Sequence, residues 1–264
     1  QRPASVSLGK GCGQAAGGSV CSTSGPSGKA CSRIQVNEAS LVPTRNALSA
    51  DLVEALIAAV QAAEQAEADL LILRGEGRNF SAGFDFSDYE QQSEGDLVLR
   101  FIRIETLLQM LAHSPCATLA LAHGQNFGAG VDLIAVCHQR IASADARFRM
   151  PGLQFGLALG TGRLAALVGG QQAHQLLAGS QIFDAAKAEQ LGFINDIQEP
   201  DAWPAVIEQS QQTAGLLDAT SRAYLHQLTG CPQQADRDMA ALVRSASAPG
   251  LKQRIAAFRQ AAKS

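Results

Sequence analysis

The sequence predicts an α/β fold with a helical C-terminal region. Short apolar strands mix with amphipathic helices up to about residue 160, and nearly every segment from Gly162 onward has helical spacing. Two glycine-containing loops also each follow an apolar strand in the same way. At 264 residues, 46% hydrophobic and 17% charged, the chain can bury a sizeable core within one large domain. Only 5% is aromatic, so that core should be mostly Leu, Ile, Val and Ala. The expected organisation is a Gly/Ser-rich arm or irregular hairpin over 1–30, an α/β core over 31–200 and a helical region over 201–264.

Within the arm, Gly25-Pro-Ser-Gly28-Lys29 has the look of a phosphate loop, but the spacing requires Gly at 23 and Thr23 stands there, so the segment reads as a turn. Arg33 to Val36 alternates like a short strand. Ser49 suits an N-cap, Asp51 and Glu54 a first turn, and Leu52, Leu56 and Val60 keep helical spacing to about Ala66. Leu70–Leu73 is a short apolar strand, followed by a loop and a helix from about Leu97 to Leu111. Cys116–Leu121 reads as a buried strand, Ala129–Val136 as a short buried helix, and Gln139–Ala142 and Arg147–Arg149 as further strands. Beyond them, helices are expected at 164–168, 171–177, 185–191, 203–214, 220–228, 235–245 and 252–262.

Several function classes fall away on composition. A net charge of −3 argues against a nucleic-acid footprint, which needs clustered Lys and Arg. No run of about 18 apolar residues is present to cross a membrane. Gln1 to Ser19 lacks the apolar segment of a secretory signal, so a cytoplasmic location is expected. The six cysteines form no C-x-x-C pair and no His stands at zinc spacing, so no metal site is expected. Cys116 and Cys137 lie in apolar runs and should pack as small hydrophobes.

The chemistry concentrates in the two loops, Asn79-Phe-Ser-Ala-Gly-Phe-Asp85 and His123-Gly-Gln-Asn-Phe-Gly-Ala-Gly-Val-Asp132. Small residues let another group approach the backbone, and a helix starting inside the second loop would aim free N–H groups at whatever lies before it. Fixed donors facing developing negative charge make an oxyanion hole. The same residues also serve as ordinary strand-to-helix turns. Asp132 lies three residues after Ala129, on the same helix face. Its carboxylate could reach the same pocket, or it could simply stabilise the helix start.

Five segments in order resemble one family. Phe80-Ser-Ala-Gly-Phe-Asp85 is similar to its F-x-A-G-x-D segment, and Gly124-x-x-x-Gly-Ala-Gly-x-Asp132 to its G-x-x-x-G-G-G-x-E. Asn46-Ala-Leu48, the strand Asp145–Phe148 and Ala185-Ala-Lys-Ala-Glu-Gln-Leu-Gly-Phe-Ile-Asn195 resemble its further landmarks. On these the chain is identified as a member of the enoyl-CoA hydratase/isomerase (crotonase) superfamily. The resemblance implies a crotonase-like (ClpP/crotonase) fold of repeated ββα turns and an acyl-CoA thioester substrate. Coenzyme A enters as part of that substrate, with no separate cofactor. It further implies a trimer or dimer of trimers built by the C-terminal helices, where Leu216, Leu217, Leu225, Leu242 and Val243 recur. By motif position, Phe84 and Ala129 would supply the oxyanion N–H groups, and Asp132 the proton transfer. Ala82, Gly83, Phe127, Gly128 and Gly152 would bind substrate.

The chain departs from the family at its acids. Hydratases of this family commonly use two glutamates. The first is the shorter Asp132 here, by ~1.5 Å, and the second position, after Pro151, is Gly152. This departure favours neither a standard hydratase nor a standard isomerase, and it keeps open a non-catalytic acyl-CoA binder, a decarboxylase or a thioester hydrolase. Gly160-Thr-Gly162-x-x-Ala165 mimics a dinucleotide fingerprint without a strand leading into it. Asp85 is expected to cap the next helix, and Arg100 and Glu105 to lie on a solvated face. His113 and His123 should bond locally, while His138, His174, His226 and Tyr224 show no partner spacing. Lys252 and Arg254 read as exposed helix charges, with a CoA phosphate as the other expectation.

Overall fold

The computed structural model describes residues 22–24, 30–35, 46–230 and 232–262. Most of the arm over 1–30, with the Gly25–Lys29 turn, lies outside them. A six-stranded sheet forms the centre, in the order β1 (Ser22–Ser24), β2 (Ala30–Gln35), β3 (Leu70–Arg74), β4 (Ala117–Ala122), β6 (Gln139–Ala142) and β9 (Asp196–Ile197). Every pairing is parallel except β1 with β2. Strands buried on both faces read as continuous apolar runs because alternate side chains enter different cores. Leu71, Leu73, Ala120 and Ala122 join the main core. Leu70, Ile72, Leu119 and Leu121 point the other way, onto Trp203, Ile207 and Ala214 of α7 (Trp203–Ala214).

The ββα turns of the expected fold are explicit. β4 is followed by β5 (Gln125–Phe127) and α3 (Ala129–Ala135), and β6 by β7 (Arg147–Arg149) and α4 (Thr161–Val168). β5 and β7 pair in parallel in a second sheet that β8 (Phe183–Asp184) completes. α5 (Gly170–Ala178) and α6 (Ala185–Gln190) bracket β8. The predicted cap of α1 (Ala50–Gln65) is present, with Ser49 Oγ accepting from Leu52 N–H. α2 (Glu94–Ala112) begins three residues before the expected Leu97, because Ser93 and Asp96 form a reciprocal capping box.

The C-terminal helices are α8 (Ala219–Thr229), α9 (Pro232–Ala246) and α10 (Leu251–Ala261). Leu242 is fully buried inside the protomer rather than free for assembly, whereas Leu216 is 81% and Leu228 80% exposed. α8 is fastened to the sheet by a buried ion pair between Arg222 and Asp69 (2.9 Å). His226 also stacks on His138, ring centroids 3.6 Å apart, so these two histidines do have a partner that spacing in sequence did not show. Cys116 and Cys137 are buried, and burial raises their thiols to about 11 and about 12, as befits packed, unreactive groups. Among the described residues no helix is long and apolar enough to cross a membrane.

Candidate active site

The two loops are fitted to each other through the backbone. Asn46 Nδ2 donates to the carbonyls of Glu76 and Asn79, and Ser81 Oγ donates to Asn46 O while accepting from Gly83 N–H. Leu48 N–H donates to Gly83 O (2.7 Å), so the early Asn46-Ala-Leu48 segment is the clamp of the first loop. The second loop docks on it through Phe127 N–H to Ser81 O (3.2 Å) and is held from behind by Gly128 N–H to Arg149 O (2.8 Å). Gly83 has φ +80°, and a Cβ there would stand 2.2 Å from Phe127 O and 3.4 Å from Ala129 N. Only glycine permits both that conformation and that approach. Among the described residues, neither Phe84 N–H nor Ala129 N–H has a protein acceptor.

In front of these amides lies a cavity of about 230 Å³. Of the residues expected at the site, Ala82, Phe84, Phe127, Gly128, Ala129, Asp132 and Gly152 all line it, and Gly83 sits behind at the loop junction. The remaining wall is mostly apolar, built largely from Phe86, Phe101, Phe155, Leu157, Leu159 and Phe258, with Arg149 and Thr161 as its polar members. It suits an apolar chain more than a charged one.

Asp132 is buried on α3, and its Oδ1 has no hydrogen-bond partner. Burial pushes its carboxyl up to about 7; the Arg163 cation opposes this, and the charges of Glu105 and Asp238 add to it. A carboxyl poised near neutrality can hold or release a proton in an apolar site.

Gly152 opens a 3-10 turn, Gly152–Phe155, closed by Leu157 N–H to Gly152 O (2.9 Å). A Cβ at 152 would stand 2.9 Å from Leu157 O, closer than real side chains come to a carbonyl. The turn as folded therefore leaves no seat for a second acid at this position.

Several other expectations are corrected. Arg100 and Glu105 are buried, not solvated. The Arg100 guanidinium lies over the Phe84 ring at 4.3 Å and donates to Asp85 O, while Glu105 is ion-paired with Arg163. Asp85 does not cap α2; its Oδ1 accepts from Ser87 N–H in the turn before it. Lys252 Nζ donates to the carbonyls of Glu90 and Gln92, and Arg254 to those of Phe155 and Gly156. These cations therefore fasten α10 to the turn before α2 and to the end of the 3-10 turn. His113 bonds locally, to Gln109 O, whereas His123 Nε2 pairs with Gly77 O across the loops and its buried Nδ1 has no partner. The sequence reading missed Thr161, which lines the cavity with a buried hydroxyl that has no partner. Its signal was present in the Gly160-Thr-Gly162 turn, taken there only as a mimic of another motif.

Residues 34–248 match the model of the family described as enoyl-CoA hydratase/isomerase. The chain is 32% identical over 180 residues to a probable enoyl-CoA hydratase of Bacillus subtilis, covering 65% of this chain and 68% of that one. A Bordetella parapertussis crystal structure, provisionally named enoyl-CoA hydratase/isomerase, is 54% identical, with TM-score 0.80 over 81% of this chain and 90% of that one. A Bacillus halodurans enoyl-CoA hydratase shares the fold at 22% identity, with TM-score 0.72 over 81% of this chain and 92% of that one. The crotonase fold described above agrees with these matches, and the chain belongs to the enoyl-CoA hydratase/isomerase family.

Proposed function

We propose that the protein is an acyl-CoA enzyme that works through a thioester enolate, with Asp132 moving the proton. Phe84 and Ala129 N–H groups would hold the thioester oxygen as it gains charge, and Ala82, Gly83, Phe127, Gly128 and Gly152 would shape the channel to it. The acyl chain would fill the apolar cavity. The observation that carries this reading is the buried Asp132 carboxyl, with an unpartnered oxygen, in the same cavity wall as two uncommitted amides. As carboxylate it takes a proton from the carbon beside the thioester. The C–H electron pair becomes the enolate C=C, and the carbonyl oxygen takes the negative charge. The same carboxyl then returns the proton to that carbon or to one conjugated with it. One acid suffices for such a shift. Hydration additionally requires activating a water, for which the Gly152 position offers no side chain.

Coenzyme A enters with the substrate, and the chemistry asks for no other cofactor. We place the protein in the cytoplasm and infer a homotrimer or dimer of trimers, in which the exposed leucines around α8 meet a second copy. A second reading, an acyl-CoA binder without catalysis, is favoured by the closed Gly152 turn. Mass spectrometry of enoyl-, 3-hydroxyacyl- and malonyl-type CoA thioesters incubated in D2O separates the two. Turnover or α-deuteration that falls by roughly 10²–10⁴-fold in Asp132→Asn, with thioester affinity retained, supports the enzyme. Tight binding with neither turnover nor exchange overturns it.

A further inference from the structure

The Gly160-Thr161-Gly162-Arg163 turn is wedged between acids from two helices. A Cβ on Gly160 would fall 1.5 Å from Asp132 Oδ1, and one on Gly162 would fall 2.5 Å from Asp238 Oδ1 and 1.9 Å from Gln234 Nε2. Each glycine is thus a seat for a carboxyl group, one arriving on α3 and one on α9. Arg163, the next residue, is already taken. Its Nη1 donates to Glu105 Oε2 (2.9 Å), its Nη2 to Glu105 Oε1, and the latter nitrogen lies 3.8 Å from Asp238 Oδ2. Both acids are braced in turn. Gln109 Nε2 donates to Glu105 Oε1 (2.8 Å) and Ala235 O (2.9 Å), and Gln234 Nε2 to Asp238 Oδ1 (2.7 Å). No hydrogen bond from Arg163 reaches Asp132.

Three carboxyl groups therefore crowd one guanidinium in a buried cluster, where an unpaired charge is costly. Only Glu105 is hydrogen-bonded to Arg163; Asp238 Oδ2, like Asp132 Oδ1, has no hydrogen-bond partner. We infer that Glu105 is a positioning residue and Asp238 its second charge: Glu105 ties up Arg163 through both nitrogens, Asp238 adds a like charge nearby, and together they deny Asp132 a counter-ion and leave it free to carry a proton. This rests on the reading of Asp132 as the proton carrier. The charged groups acting on Asp132 are Glu105 from α2, Arg163 from α4 and Asp238 from α9; β4 and β5, also packed on α3, carry none. Asp238→Asn removes one repelling charge while leaving Gln234 an acceptor, and Glu105 still holds the guanidinium. Glu105→Gln loosens that hold and removes the other repelling charge.

The test is a carbon-13 carboxyl NMR titration of the full chain, with the Asp132 signal assigned by its loss in Asp132→Asn. The pH profile of α-deuteration of butyryl-CoA in D2O is measured alongside. Asp238→Asn should lower the Asp132 midpoint by about one pH unit, the scale of a neighbouring like charge removed. The exchange profile should move by the same amount. Glu105→Gln, if it folds, should move both in the same direction. A folded Asp238→Asn protein whose Asp132 midpoint is unchanged or higher overturns the inference. If the wild type exchanges no proton, the reading of Asp132 as catalyst fails, yet the carboxyl titration still decides whether Asp238 controls it.

Discussion

Gly83 and Phe127 meet backbone to backbone: a single methyl group on Gly83 would stand 2.2 Å from the Phe127 carbonyl oxygen. Two segments some forty residues apart are joined at a point where neither can yield. Gly83→Ala should therefore destabilise the fold by roughly 3 kcal/mol or more, combining the left-handed strain with the clash. Acyl-CoA binding should fail along with it. Urea denaturation checks the first effect and calorimetry with butyryl-CoA the second. Wild-type values for both would mean that the loops do not meet as described.

The Asp132 carboxyl titrates at about 7 in the fold, against 3.8 ordinarily. Between those values the native state keeps a proton that the unfolded chain has released. The contribution of this group to stability is therefore greatest below pH 3.8 and falls as pH rises to about 7, by on the order of 4 kcal/mol. Asp132→Asn cannot ionise, so its stability relative to the wild type should climb between pH 5 and pH 8. Equal differences at the two pH values would show that the wild-type carboxyl is already ionised at pH 5.

Burial and the neighbouring His226 and Arg140 pull His138 down to about 3. Its Nδ1 accepts from Thr118 N–H (3.1 Å), a role only the unprotonated nitrogen can play. Stability should be lost as pH falls below 6.5, by up to about 2 kcal/mol at pH 5. In His138→Asn, whose amide oxygen can replace Nδ1, chemical denaturation should show a flatter slope over pH 5 to 6.5. A slope equal to that of the wild type would place the acid sensitivity elsewhere.

Gly152→Glu should not create a hydratase. The turn from Gly152 to Leu157 has to open before any side chain fits, so the expected result is a lower melting temperature with no gain in crotonyl-CoA hydration. A variant that hydrates crotonyl-CoA at unchanged stability would show that the turn yields freely.

Leu225 and Leu228 are exposed on α8 beside Tyr224. If this face joins copies of the chain, Leu225→Glu with Leu228→Glu should convert an oligomer to protomers in light scattering. A wild-type protein that already scatters as a protomer at micromolar concentration would exclude assembly through α8.

The middle of the central sheet was legible because β3 and β4 are short apolar runs, while the polar edge strands β1 and β9 carry no such signal; the loops were legible because glycine spacing survives in sequence. Ala82, Phe84, Phe127, Gly128, Ala129, Asp132 and Gly152 were named by motif position and line the cavity; its apolar wall and Thr161 were not named. Contacts between distant segments were not legible. Arg100 and Glu105 look like a solvated helix face until Phe84 and Arg163 are brought against them. His138 and His226 are 88 positions apart, and only the docking of α8 makes them a pair. Periodicity reports which face is apolar. It cannot report that a charged residue on that face has found its partner elsewhere in the chain.

Phe258 of α10 lines the same cavity as Asp132 and the loop amides, yet belongs to an element with no part in the central sheet. The chamber is thus assembled from two sources: the loop junction with α3 on one side, and on the other a wall to which the last helix adds one ring, packed on Phe155 at 5.1 Å. If the acyl tail fills this chamber, a change at Phe258 alters the tail it admits while Asp132 and the loop amides keep their places.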